Sequence, residues 1–159
     1  MSNSVKKIPE GSHTITPSFM FKDCKKAIEF YQKAFNAKVM GVFPTLDGKG
    51  IMHAQIQIGD SFMMMGDEME KCKSAETIGS SPVSFFMYVN DVDASFKQAV
   101  DAGCTVFMPV AQMFWGDRAG SLVDPFGYSW MIATHTEDLD NEQIRKNAEV
   151  FFAKISSKN

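Results

Sequence analysis

The sequence predicts an α+β protein made of two successive βαβββ modules followed by a C-terminal helix. The order strand, helix, strand, strand, strand is found twice, and the residues that punctuate it are equally spaced in both copies. Asp23 and Asp91, each at the expected start of a helix, are 68 residues apart, and so are Gly59 and Gly127, each in a turn. Equal spacing of this kind indicates a duplicated unit, even though few residues are identical in the two copies.

The composition is that of a folded chain with a sizeable core. Of its 159 residues 45% are hydrophobic, including 14 Phe and 12 Met, which excludes a disordered chain. The formal net charge is -3 and there is no long basic run, so we expect no nucleic-acid partner. The apolar runs are too short to span a membrane, and the start lacks a signal sequence, so we expect no membrane partner. Three widely spaced cysteines without a CxxC pair predict a cytoplasmic protein.

The first module is predicted at residues 13–68, behind a flexible tail at residues 1–12. Asp23 is a good helix N-cap, apolar residues follow it at helical spacing, and Asn36 tolerates the left-handed conformation that ends a helix. Alternating apolar and polar residues predict the surrounding strands. We place them at residues 14–21, 38–46, 51–58 and 61–65.

Strand alternation also predicts which side chains lie under the first helix and which face away from it. Ile15, Phe19 and Phe21 should pack under the helix. The side chains expected on the opposite face are Thr16, Ser18, Met20, His53, Gln55 and Gln57 and, by the repeat, Ser84, Phe86 and Tyr88.

A polar linker at residues 69–82 separates the first module from the second, which is predicted at residues 83–135. Asp91 and Gly103 should begin and end its helix. Its strands are expected at residues 83–89, 105–110, 119–123 and 129–134.

Residues 136–159 are predicted to form a C-terminal helix and tail. Asp140 and Gln143 have the spacing of a capping box. An apolar stripe predicts docking on the protein's own core or on a partner subunit, and it lacks the basic flank typical of a lipid-binding helix. The residues of the stripe are Ile144, Ala148, Phe151, Phe152 and Ile155.

Five strings in this order resemble the vicinal-oxygen-chelate superfamily, which has the glyoxalase, bleomycin resistance and dioxygenase fold, and in particular its PhnB-like branch. The resemblance covers about residues 14–155. The strings are residues 23–35, 52–61, 113–120, 124–135 and 136–139. The resemblance implies a curved, mostly antiparallel sheet that forms a cup, closed within one chain or between two, and a homodimer.

The resemblance also implies that the cup binds a small molecule, and we predict an aromatic or anionic one. The floor of the cup is expected to include Met63, Met65, Met131 and Ala133. The predicted ligand-binding residues are Thr16, Ser18, His53, Gln55, Met63, Ser84, Phe86, Tyr88, Trp115, Arg118 and Met131.

Metal-using members of the superfamily resemble one another at four ligand positions, which in this sequence are Thr16, Met63, Ser84 and Met131. Hydroxyl and thioether groups are poor ligands for the divalent metals that act there as Lewis acids. We therefore predict no metal and no cofactor, and we assign no catalytic residue.

The alternative function is that of a metal-dependent lyase, isomerase or dioxygenase that uses His53. His53 would act as a general base or lone metal ligand near Tyr128 or Asp117, whereas in a binding protein it is a hydrogen-bonded polar residue in a wet cup. His13 and His135 flank strands and are interpreted as surface groups.

The string from Trp115 to Arg118 is the most distinctive and has two interpretations. As part of a binding site, Trp115 stacks on a planar ligand and Arg118 grips an anion through two hydrogen bonds. As a structural feature, Trp115 anchors the loop and Asp117 pairs with Arg118.

Overall fold

The structure is a computed structural model that describes residues 5–10 and 12–156, and side chains up to residue 154. The predicted flexible tail falls partly on residues outside this description, as does the Ile155 side chain. The chain divides into two compact units, Met1–Ser81 and Pro82–Asn159. The boundary falls within the polar linker predicted at residues 69–82.

The first unit is a four-stranded sheet with one long helix and one short helix. Its elements are β1 Ser18–Phe21, α1 Cys24–Phe35, β2 Lys38–Pro44, β3 Ile51–Ile58, β4 Ser61–Asp67 and α2 Ala75–Ile78. The strand order is β1-β4-β3-β2. The β1–β4 pair is parallel and the other two pairs are antiparallel.

Local chemistry sets the ends of α1 as the sequence predicts. The carboxylate of Asp23 accepts a hydrogen bond from the Lys26 N–H at 3.0 Å, and Asn36 ends the helix in the left-handed conformation at φ 54°. The helix buries its apolar side on one face of the sheet. That core includes Phe19, Phe21, Ala54, Ile56, Met63 and Met65.

The start of β1 differs from its prediction. The strand begins at Ser18, not at residue 14, and Ile15 is 84% exposed instead of packing under α1. The Pro17 carbonyl still accepts a hydrogen bond from the Met64 N–H at 2.9 Å. Because Pro17 has no N–H to donate, it is a natural boundary for a regular strand.

The second unit repeats this arrangement. Its elements are β5 Ser84–Tyr88, α3 Val92–Ala102, β6 Thr105–Gln112, β7 Asp117–Val123, β8 Ser129–His135 and α4 Asn141–Ser156. The strand order is β5-β8-β7-β6, with β5 parallel to β8 and the other pairs antiparallel. The α+β prediction with two βαβββ modules and a C-terminal helix is therefore confirmed.

One face of the second sheet is covered by α3. Leu122, Trp130 and Ile132 are buried on this face, and at Gly120 a Cβ atom would collide with the Phe96 ring of α3. The turn before β8 is organised by the buried carboxylate of Asp124. It accepts hydrogen bonds from the N–H groups of Phe126 and Tyr128 and from Nε1 of Trp130.

Helix α4 docks on its own unit through aromatic rings. Asp140 and Gln143 exchange the two hydrogen bonds of a capping box, at 2.9 and 2.8 Å. Phe151 and Phe152 lie against Phe114, with ring centroids 5.6 and 5.7 Å from it. The helix therefore buries part of its predicted apolar stripe on the β6–β7 loop. Among the described residues, no helix is both long and apolar enough to cross a membrane.

Candidate functional site

The candidate site lies on the face of the second sheet that points away from α3. Directly paired residues in neighbouring strands share a face, so the pairs Phe86–Met131 and Met131–Ser121 place these side chains together. Two residues further along each strand, Tyr88 pairs with Ala133 and Ala133 with Ala119. Ser84 and Ser129 pair at one end of this surface. We call it the open face.

Aromatic and thioether groups dominate the middle of the open face. Phe86 and Tyr88 are exposed, and their ring centroids are 5.0 Å apart. Trp115 folds over the face and packs with a small cluster. The other members of that cluster are Met108, Met113, Ala119, Met131 and Ala133. Two separate segments of the chain, β5 and the loop before β7, thus bring aromatic rings to one surface.

A buried carboxylate fixes two of these rings. Asp117 is only 1% exposed, and its Oδ2 accepts hydrogen bonds from the Tyr88 hydroxyl at 2.9 Å and from Trp115 Nε1 at 2.8 Å. Its Oδ1 lies 2.8 Å from Nδ1 of His135, the residue directly opposite on β8. Both carboxylate oxygens are therefore in use, and a buried charge in this position is stabilised by its donors.

His135 lies between two carboxylates. Its side chain is 51% exposed, and its Nε2 is 3.0 Å from Oδ1 of Asp138, whose side chain is fully exposed. When the imidazole is protonated, both ring nitrogens are donors and both contacts are charge-assisted. The sequence-based interpretation of His135 as a simple surface group missed its contact with a buried acid.

The ionisation of this cluster follows from its hydrogen bonds. Contacts with Asp138 and then with Asp117 raise the pKa of His135 above its ordinary value. Burial favours the neutral acid at Asp117, but hydrogen bonds from His135, Trp115 and Tyr88 outweigh it and lower the pKa of that carboxyl. The acceptor Asp117, with a smaller effect of burial, raises the pKa of Tyr88, which keeps the phenol protonated.

The loop that carries Trp115 is tied to the chain after β8 through Gly116. The Gly116 carbonyl accepts hydrogen bonds from the N–H groups of Thr136 and Glu137 and from the Thr136 hydroxyl, at 3.0, 2.9 and 2.8 Å. Gly116 has φ 98°, and a Cβ atom there would collide with the Glu137 carbonyl oxygen. Only glycine fits this close approach without strain.

Arg118 does not join Trp115 on the open face. Alternation along β7 puts Arg118 on the α3 side, where its Nε and Nη2 donate to the two carboxylate oxygens of Asp93 at 2.8 and 2.7 Å. The expectation that Arg118 lies beside Trp115 at one surface is wrong, and so is the predicted pairing of Arg118 with Asp117. Asp117 alternates to the opposite face of the same strand.

The first sheet has its own face turned away from α1, and three of the side chains expected there share it. Gln55 pairs with Met64, and Met64 with Ser18, so these side chains share that face with His53. The ring centroids of His53 and Phe43 are 6.1 Å apart. Thr16 is half-buried in the segment before β1.

Met63 and Met65 lie on the other side of the first sheet. Met63 pairs with Ile56 and Met65 with Ala54, and all four are buried. The expectation that these two methionines line a floor beside Gln55 is wrong. The β3–β4 turn is shorter than the β7–β8 turn, because Ile58 pairs with Ser61 whereas Val123 pairs with Ser129. Met63 and Met131 each follow the turn glycine by four residues, yet they lie on opposite sides of their sheets relative to the helix.

Comparison with known protein families assigns the chain to one of them. The family model described as "Glyoxalase/Bleomycin resistance protein/Dioxygenase superfamily" matches residues 13–132. The chain belongs to this superfamily. Rv0887c of Mycobacterium tuberculosis strain H37Rv is 34% identical to this member over 136 residues, which cover 82% of this chain and 79% of that protein.

Solved structures of the superfamily fold resemble this member along most of its length. TioX from Micromonospora sp. ML1 is 21% identical with a TM-score of 0.62, covering 78% of this chain and 99% of that one. The PhnB protein of Bacillus cereus is 16% identical with a TM-score of 0.59, covering 77% and 99%. At these identities the likeness shows the fold alone.

The residues at the four metal positions implied by the sequence resemblance do not suit a divalent metal. Ser18 in the first unit corresponds to Phe86 in the second, and their partners on the last strand are Met64 and Met131. The residue equivalent to Met131 is therefore Met64 and not Met63, but either one is a methionine. With Thr16 and Ser84 the donors are hydroxyls and thioethers, which bind such metals poorly. Within the described part of the chain, no three His, Cys, Asp or Glu side chains are grouped to hold a metal ion.

Proposed function

We propose that this superfamily member binds a small, flat, largely apolar molecule on the open face, without the divalent metal used by its metal-dependent relatives. The observation that carries the proposal is the pair of hydrogen bonds that Asp117 accepts from Tyr88 and Trp115. Flat ligands stack on aromatic rings, and rings already held in place lose little further entropy on binding.

The surroundings of these rings suit a ligand with an apolar body and a few polar groups. Phe86, Met108 and Met131 extend the apolar surface, and methionine adapts to irregular shapes. Ser84, Ser121 and Ser129 lie on the same face. Their hydroxyls can donate or accept hydrogen bonds and so fix the orientation of a ligand.

The first experiment measures binding of 2-naphthamide, a flat neutral probe, by isothermal titration calorimetry. Trp115→Ala should lower the affinity at least about fivefold, because a stacked aromatic contact contributes about 1 kcal/mol or more beyond the area it buries. Arg118→Ala is the matched control, since Arg118 lies on the opposite face with Asp93, and it should leave the affinity unchanged. Equal losses in the two variants would contradict a site on the open face.

The second experiment tests the absence of the metal. Adding Ni²⁺, Mn²⁺, Zn²⁺ or Fe²⁺ should leave the melting temperature of untagged protein unchanged, whereas a bound aromatic probe should raise it. Stoichiometric metal in the purified protein that is lost in His53→Ala would contradict the proposal and favour a metal-dependent enzyme. Homodimerisation and a cytoplasmic location stay predictions from the sequence.

A further inference from the structure

We propose that His135 is the anion-recognition residue of the open face, and that its ligand is an aromatic molecule carrying a carboxylate or phenolate oxygen, which takes the place of Asp138. This inference rests on the proposed function and names the class of ligand that the same face selects. The chain itself provides a carboxylate at the required position, because Asp138 Oδ1 lies 3.0 Å from Nε2 of His135.

The two carboxylates that contact His135 differ in how easily they can be displaced. Asp117 is buried and also holds Tyr88 and Trp115, so removing it would leave two part-buried donors without their acceptor. Asp138 is fully exposed, and an exposed ion pair contributes little to stability. A ligand carboxylate can therefore replace Asp138 at Nε2 while Asp117 keeps the imidazole oriented through Nδ1.

The position of His135 suits a ligand that also stacks on the aromatic rings. His135 follows Ala133 on β8 by two residues, so both side chains lie on the open face, and Ala133 pairs with Tyr88. Tyr88, Trp115 and His135 all contact the one carboxylate of Asp117. A rigid aromatic acid can thus place its ring and its anionic oxygen against neighbouring groups.

The charges around His135 set the pH dependence of this recognition. Two titratable groups contact the His135 ring directly, Asp117 on β7 and Asp138 after β8. A third, Tyr88 on β5, donates a hydrogen bond to Asp117. Arg118 and Asp93 pair on the other face and do not compete for the anion. Because the folded protein favours the imidazolium, the affinity should be highest where the imidazole is protonated and the ligand oxygen is ionised, and it should fall as the pH rises past the raised pKa of His135.

The test compares 2-naphthoate with its neutral counterpart 2-naphthamide by calorimetry in wild type, His135→Gln and Asp138→Asn. His135→Gln should lower the affinity for 2-naphthoate roughly tenfold more than the affinity for 2-naphthamide, the effect of losing a hydrogen bond to a charged group. Asp138→Asn removes the internal competitor and should raise the affinity for 2-naphthoate only. If neither variant changes the difference between the two probes, the inference is wrong while a site for neutral aromatics stands.

A second measurement separates failure of this inference from failure of the proposed function. The ¹⁵N chemical shift of His135 Nε2 is followed during titration with sodium acetate, which cannot stack on the rings. A shift that saturates at lower acetate concentration in Asp138→Asn supports His135 as the anion site even if neither naphthyl probe binds. No shift in either protein overturns the inference whatever the naphthyl probes do.

Discussion

Asp117 is the residue on which the open face depends most directly. It is the buried partner of groups from β5, the β6–β7 loop and β8. Hydrogen bonds to a charged acceptor are stronger than neutral ones, and removing this acceptor leaves three part-buried donors without their partner. One carboxylate therefore stabilises the second unit and also fixes the orientation of Tyr88 and Trp115.

Asp117→Asn should destabilise the protein by about 3 kcal/mol, because an amide removes the charge and places an N–H₂ group against donors. The measurement is the free energy of unfolding in urea. Asp93→Asn is the matched control, since it breaks the exposed ion pair with Arg118. This variant should lower the free energy of unfolding by less than about 1 kcal/mol. Similar small losses in both variants would show that the carboxylate of Asp117 is not needed for stability.

The pH dependence of stability should reflect the same cluster. The pKa of His135 is raised on folding, so its stabilising effect is fully present below the ordinary pKa of histidine and is lost as the pH rises through the raised value. The pKa of Asp117 is lowered on folding, so its effect is present above the ordinary pKa of aspartate and is lost as the pH falls through the lowered value.

Urea unfolding of wild type and His135→Gln between about pH 5 and about pH 9 checks the histidine half of this prediction. The stability advantage of wild type should be largest at the acidic end and should shrink as the pH rises. An advantage that stays constant with pH would mean that the imidazolium is not the form stabilised on folding.

At the scale of single residues, the sequence identified several of the right side chains but not their contacts. Alternation correctly placed Ser84, Phe86 and Tyr88 on one face of β5. It could not reveal that the neighbours Asp117 and Arg118 alternate to opposite faces, because the start of β7 was predicted two residues too late. The exact start of a strand decides the face of every residue near it.

At the scale of elements, the β6–β7 loop connects the candidate site to the C-terminal helix. Its Gly116 carbonyl is bound by the chain after β8, its Trp115 lies over the open face, and its Phe114 contacts α4. The conformation of this one loop therefore sets both the position of the indole ring and the docking surface of a helix.

Gly116→Ala should destabilise the protein by roughly 3 kcal/mol or more, because it combines a left-handed backbone with a collision against the Glu137 carbonyl. Gly79→Ala is the matched control. Gly79 has a similar φ of 88° but no atom within 4 Å of an added Cβ, so it should lose only about 1 to 2 kcal/mol. Thermal and urea unfolding measure both, and equal losses would exclude the close approach as the cause.

Turn lengths explain which element predictions failed. Capping residues located α1, α3 and α4 because each cap has a recognisable side chain and spacing. The sequence did not indicate that the two units use turns of different length before their last strands, which is why Met63 was assigned to the wrong face. The short helix α2 was also missed, although Ser74 caps it by accepting a hydrogen bond from the Thr77 N–H, because four residues give no periodicity to detect.

At the scale of the whole molecule, the duplication predicted from equal spacing is present in the packing of each unit. Ile56 on β3 pairs with Met63 on β4, and Leu122 on β7 pairs with Trp130 on β8. Both Ile56 and Leu122 are fully buried beneath the helix of their unit. Each unit thus has its own hydrophobic core, built from corresponding strands.

The two cores should be comparably sensitive to truncation. Ile56→Ala and Leu122→Ala should each lower the free energy of unfolding by about 2 to 5 kcal/mol, because each removes buried methyl groups and leaves a cavity. Val39→Ala is the control, since Val39 on β2 pairs with Ile56 but is 41% exposed, and it should cost less than about 1 kcal/mol. Urea unfolding measures all three variants. A large loss in one unit and none in the other would mean that the duplicated units do not both rest on a packed core, and the structural equivalence inferred from the spacing of Asp23 and Asp91 would not extend to stability.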